Sequence, residues 1–314
     1  MGAELVNLNT LDNGWLLFNS IAESWVQEIL RLRTLENGGF LLNSSASDQL
    51  DGDDMVLLGQ VEQDGFMELS AIDPGTKRRL VAVDGSVVQL WFIGGRALLS
   101  LKAAVVERDG RSLRVRVVGP MPKLAGFDEQ MISAESVALF ELRRFEAMVQ
   151  KLVARKAGDA LLLFDMPLTR MPELPLSVDG TTLVGIAKNS VLATHLGRSL
   201  ARSGGLALLA RKLPLGPLPR AEISVTVARI VPNGLAFRAD VMPADRWVEL
   251  LSDLAASDAL ISGYPETLAI AHAFSRHSWV EVAASKTVLE KRLGLKIVDE
   301  PDVRGAVLLP FDGR

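Results

Sequence analysis

The segment VAVDGSVVQLWFIGGRALLSLKAAVVERDG, residues 81–110, begins as an apolar run that Asp84-Gly85-Ser86 interrupts. The run resumes to residue 93, Gly94-Gly95 offers a turn, and residues 96–107 form a second apolar stretch that ends at Asp109-Gly110. Paired glycines and Asp-Gly between β-rich runs are hairpin signals, so 81–93, 96–107 and 111–118 are predicted to form a three-stranded meander. A carboxylate inside the first strand is costly if it is buried without a partner. Asp84 therefore asks for a cation or a set of donors.

Downstream, a helix is predicted over 133–156, followed by the short apolar strand ALLLFD that ends at Asp165. A strand reached from a meander through one helix is predicted to lie parallel to the first strand, which would set Asp84 and Asp165 side by side. On the helix, Leu142, Glu146, Val149 and Val153 share one stripe, while Arg143, Arg144, Ala147, Gln150 and Lys151 share the opposite one. Glu146 is thus predicted to face the sheet, with Glu135 and Glu141 as alternative helical acids. After a Pro-rich connector, TTLVGIAKNSVLATHL reads as a strand running into a helix, and 222–241 as a hairpin turned at Pro232-Asn233-Gly234. Helices are predicted at 244–257, 265–276 and 286–293. Upstream, Phe18, Ile21, Trp25, Ile29 and Leu32 mark an apolar helix, and residues 55–61 and 66–72 flank Asp64-Gly65 like a hairpin. The predicted fold is α/β, a mixed sheet with a crossover helix, an N-terminal helix and hairpin, and C-terminal helical additions.

Composition narrows the chemistry. The 314 residues are 48% hydrophobic and 23% charged, which fits a globular chain with a sizeable core. There is no basic and apolar leader and no run long enough to span a membrane, so a cytoplasmic protein without a membrane partner is expected. Without cysteine, carboxylates and the three histidines are the available strong metal ligands. The net charge is −4, yet no acid lies between Asp179 and Glu222, a stretch that holds Lys188, Arg198, Arg202, Arg211, Lys212 and Arg220. Such a stretch can hold phosphates locally. Three converging carboxylates would repel one another, and a divalent ion removes that penalty; all-oxygen ligands suit Mg²⁺ or Mn²⁺, and a pair of such ions can hydrolyse a phosphodiester.

The succession VAVDGS, LLSLKAAVV, helical Glu146, LLLFD with Leu168 beyond it, LVGIAKNS and GYPETLAIAHAF resembles the NurA nucleases, over residues 78–280. The resemblance implies a ribonuclease H-like core within a single nuclease domain, extended by residues 1–77 and 281–314. It also implies Asp84, Glu146 and Asp165 as metal ligands, with Tyr264 and His272 matching the family's late Tyr and His. His272 would complete the coordination of Mn²⁺ or Mg²⁺, with two ions expected, or orient water, and Tyr264 would hold a phosphate oxygen or the attacking water. His277 is read as a surface residue. Asp165 is followed here by Met166-Pro167, where the family has Gly and a small polar residue. Lys188 matches a family lysine and is expected to grip the DNA backbone, with Arg198 and Arg202 along the path and a structural salt bridge as the alternative. The implied activity is 5′-to-3′ exonuclease with single-strand endonuclease action, in double-strand break resection. The implied partners are single- and double-stranded DNA, a second copy of the chain, and a hexameric HerA-type translocase. The first helix and loop 206–219 are the candidate interfaces. An actin-like ATPase or phosphotransferase, and a non-catalytic cap of a DNA motor, are the competing readings.

Overall fold

The computed structural model describes residues 67–69, 77–93, 96–126, 134–170, 182–188, 190–198, 200, 205–214 and 222–293. The predicted first helix, the Asp64-Gly65 turn, the Gly94-Gly95 turn and Arg202 lie outside them. Strands β2 (Leu80–Ile93), β3 (Arg96–Asp109) and β4 (Ser112–Gly126) form the meander, antiparallel throughout. Strand β4 runs eight residues past the predicted end at 118, and its register slips between Leu101 and Ala103 on the partner. The meander feeds helix α1 (Ala134–Ala157), which returns the chain to β5 (Leu161–Phe164), and β5 pairs in parallel with β2 as the crossover rule requires.

Strand β6 (Thr182–Ala187) pairs in parallel with β5. Helix α2 (Val191–Leu196) follows it, N-capped by the Ser190 side chain, which accepts from the backbone N–H of Ala193. Strands β7 (Leu206–Pro214), β8 (Glu222–Arg229) and β9 (Phe237–Met242) extend the sheet, with β9 antiparallel to β6. With β1 (Met67–Glu68) on its border the order is β1-β7-β8-β9-β6-β5-β2-β3-β4. The run β4-β3-β2-β5-β6, with only β3 reversed among β2, β3, β5 and β6, is the strand order of a ribonuclease H-like sheet. Residues 206–214, predicted as a loop, are strand β7, because Ala207 and Leu208 bury on opposite faces of the sheet.

The two faces carry separate cores. On one, α1 places Phe145 and Val149 over Val81, Val83, Leu101 and Phe164. Ala147 and Gln150 are buried as well, so the covered side of α1 is wider than the predicted stripe. On the other, helices α3 (Trp247–Ser257) and α4 (Glu266–Ser275) cover Leu80, Ala82, Leu163 and Ile186. Between them β10 (Leu260–Ile261) and β11 (Tyr264–Pro265) make a small hairpin. Helix α5 (Trp279–Leu293) begins seven residues before the predicted start, because Ser278 and Glu281 form a capping box: the Glu281 N–H donates to Ser278 Oγ, and the Ser278 N–H to Glu281 Oε2. On β4, Arg114 and Arg116 alternate outward and are exposed. Among the described residues no helix is long and apolar enough to cross a membrane.

Candidate metal centre

Strand β5 is four apolar residues buried on both faces, and the chain turns polar at the next position, Asp165. The parallel register sets Val83 against Phe164, so one further step brings Asp84 beside Asp165. Gly185 lets the turn after Asp165 lie on β6, where a side chain would strike the Met166 carbonyl oxygen and the Leu168 backbone nitrogen. That turn is held further by Thr169, whose hydroxyl accepts from Arg238 at 2.8 Å. Arg238 and Asp240, two residues apart on β9, form a fully buried ion pair with Nε–Oδ1 at 2.8 Å.

Asp84 points to the α4 face. There Ser275 Oγ donates to Asp84 Oδ2 at 2.6 Å, and His272 Nδ1 lies 3.1 Å from the same oxygen. The i,i+3 spacing of His272 and Ser275 aims both side chains at one carboxylate. His272 Nδ1 is also 3.8 Å from Asp165 Oδ2. Asp84, Asp165 and His272 each offer a ligand atom, all within 4.8 Å of one another, a spacing that fits one divalent ion. Two carboxylates and an imidazole favour Mn²⁺ over Mg²⁺.

Glu146 approaches from the other face of the sheet. It is buried under Gly85, where a Cβ would come within 2.6 Å of Glu146 Cγ and Oε1. Burial first, then the charges of Asp84 and Asp165, push its carboxyl up to about 8, against a smaller lowering by a backbone hydrogen bond from Gly85. Glu146, expected as a ligand, therefore feels the cluster without being one of the three groups whose ligand atoms lie within 4.8 Å of one another. Burial likewise raises Asp84, with Asp165 adding to the shift and Ser275 and His272 opposing it. Excess buried negative charge of this kind is relieved by a cation. Of the alternative acids, Glu141 pairs instead with Lys123 at 3.2 Å, and the Glu135 side chain lies outside those described.

One cation is built in. Lys188, the first residue past β6, places Nζ 3.0 Å from Asp165 Oδ2 and 4.1 Å from the centroid of the Tyr264 ring. Tyr264 is buried beside it, and its hydroxyl makes no regular hydrogen bond among the described residues, although the Asp165 carboxylate is near enough to act on it. Burial, then the carboxylates of Asp165 and Asp84, hold the phenol far above its ordinary range. Arg198 is exposed. The His277 ring, expected at the surface, is instead half-buried beyond the end of α4, between Ser86 and Ser100. Sequence reasoning passed over Ser275, although the spacing from His272 signals it, and also the Arg238–Asp240 pair.

A ribonuclease H-like sheet with an acid inside one central strand, Asp84, beside an acid at the end of its parallel neighbour, Asp165, defines a class of α/β protein. More particularly, the fold is NurA-like. The crystal structure of the NurA nuclease from Sulfolobus solfataricus superposes with a TM-score of 0.53 at 17% identity, over 79% of this chain and 95% of that one. A structure of NurA bound to dAMP and manganese gives 0.51 at 11% identity, over 91% of this chain and 100% of that one. NurA with manganese gives 0.50 at 12% identity, over 89% and 98%. No family model matches the sequence, and no curated protein matches it.

Proposed function

We propose that the chain is a metal-dependent deoxyribonuclease that hydrolyses phosphodiester bonds at the Asp84, Asp165 and His272 cluster. The observation that carries this reading is the convergence of those three ligand atoms within 4.8 Å, beside a buried glutamate, on a NurA-like fold. Manganese or magnesium bound there supplies an electrophile for the phosphate and lowers the pKa of water. Asp84, Asp165 and His272 hold the ion, and Glu146 adds negative charge from across β2. Lys188 leaves Asp165 for a phosphate oxygen of the substrate, a move that its half-exposed side chain permits. Tyr264 offers its hydroxyl to the same phosphate or to the attacking water.

The order of the motifs supports the finer reading: 5′-to-3′ exonuclease and single-strand endonuclease action on DNA ends, two ions in the working site, and a homodimer docked on a hexameric HerA-type translocase. Lys188 and the exposed Arg198, with Arg202, would track the DNA backbone, and the low aromatic content of 5% argues against a site built on base stacking. The test is Mn²⁺-dependent hydrolysis of linear DNA. Wild type is expected to cleave, and Asp84→Asn to lose on the order of a thousandfold in rate while remaining folded. Cleavage that ignores Mn²⁺, or survives Asp84→Asn, rejects the reading.

A further inference from the structure

Beyond the triad, a polar stripe crosses an otherwise apolar sheet face. Asp84 and Ser86 alternate on β2, Ser100 and Lys102 alternate on β3, and Ser86 lies directly opposite Lys102. All but Asp84 are spent on the segment that joins α4 to α5. Ser86 Oγ donates to the Ser275 carbonyl at 2.5 Å, and Lys102 Nζ donates to the Arg276 carbonyl at 3.0 Å and to Glu281 at 2.7 Å. A helix leaves its last carbonyls without intrahelical partners, and here two strands cap them with side chains.

His277 locks this cap. Its Nδ1 is 2.9 Å from Ser86 Oγ and its Nε2 is 2.9 Å from Ser100 Oγ. The single Ser86 hydroxyl proton goes to the Ser275 carbonyl, so the ring must carry its proton on Nδ1 and donate it to Ser86 Oγ. Nε2 then accepts from Ser100. A continuous series follows: Ser100 to His277, His277 to Ser86, Ser86 to the Ser275 backbone, and the Ser275 side chain to Asp84.

We infer that His277 is a positioning residue for the metal centre: by bridging Ser86 and Ser100 it fixes the end of α4 that delivers Ser275 and His272 to Asp84. The inference rests on the nuclease reading above. Its test measures Mn²⁺ binding by calorimetry, together with DNA affinity and turnover, on the full chain. His277→Ala is expected to weaken Mn²⁺ binding and lower kcat by on the order of tenfold, the scale of lost outer-shell support. DNA affinity measured without metal should stay at the wild-type value. Free imidazole should restore part of the loss, whereas 1-methylimidazole, with only one nitrogen able to bond a serine, should not. Ser100→Ala keeps the ring and deletes only the donor to Nε2, and it is expected to show a smaller loss of the same kind; it carries the test if His277→Ala does not fold. Wild-type Mn²⁺ affinity and turnover in whichever variant folds would overturn the positioning role. If Asp84→Asn also bound Mn²⁺ like wild type, the metal reading itself would fall; a defective Asp84→Asn beside an unaffected His277→Ala sinks only this inference.

Discussion

Gly85 separates Asp84 from Ser86 in sequence and Asp84 from Glu146 in space. Because it has no side chain, an acid on one face of the sheet can sit against a strand whose other face carries the triad. Gly85→Ala would set a methyl group 2.6 Å from Glu146 Cγ and Oε1, so the buried Glu146 side chain has to shift as a whole while the backbone is untouched. The fold should persist while kcat falls about tenfold, in line with the loss of an outer-shell group; steady-state hydrolysis beside a thermal melt checks both. Tyr264 supports a similar pairing of effects. The buried Tyr264 hydroxyl makes no regular hydrogen bond but lies within the influence of Asp165, so Tyr264→Phe should change stability by no more than about 1 kcal/mol while turnover drops. Asp84 and Asp165 were legible in the sequence because each interrupts an apolar run at a strand position. His277 was not, because its meaning lies in contacts with strands nearly two hundred residues earlier, which local spacing does not encode.

The elements themselves were mostly legible, since apolar periodicity and turn residues act locally. The first two strands of the meander, the crossover helix, β5 and the 222–241 hairpin fall near their predicted bounds, whereas β4 runs on to Gly126. The start of α5 was missed although SWVE spells a capping box, and its worth can be measured: Ser278→Ala should cost about 1 kcal/mol in chemical denaturation. Strand β7 was missed because prolines past residue 214 outweighed the short apolar alternation before them. The Arg238–Asp240 pair on β9 was equally hidden, since charge in a strand reads as exposure until both neighbouring strands are in place. Arg238→Ala leaves Asp240 buried without its principal counter-charge, and should destabilise the protein by about 3–5 kcal/mol in the same assay.

Over the whole molecule, protons and metal compete for one pool of buried charge. Glu146 has an ordinary value of 4.5 and is raised to about 8 in the folded chain. The folded state therefore binds this proton more tightly than the unfolded state. The stability it contributes is complete below pH 4.5 and is lost as pH rises through about 8, and the raised Asp84 acts in the same direction. In chelator, melting temperature should fall across that window. Added Mn²⁺ should flatten the fall and, at neutral pH, release on the order of one proton per chain, measurable by calorimetry in buffers of different ionisation enthalpy.

Strand β4, at one border of the sheet, turns Arg114 and Arg116 to solvent. A second molecule that tried to lengthen the sheet there would bring guanidinium groups against guanidinium groups, an arrangement that blocks strand-to-strand polymerisation. Among the described residues, the β4 margin is thus a rim that repels a copy of itself.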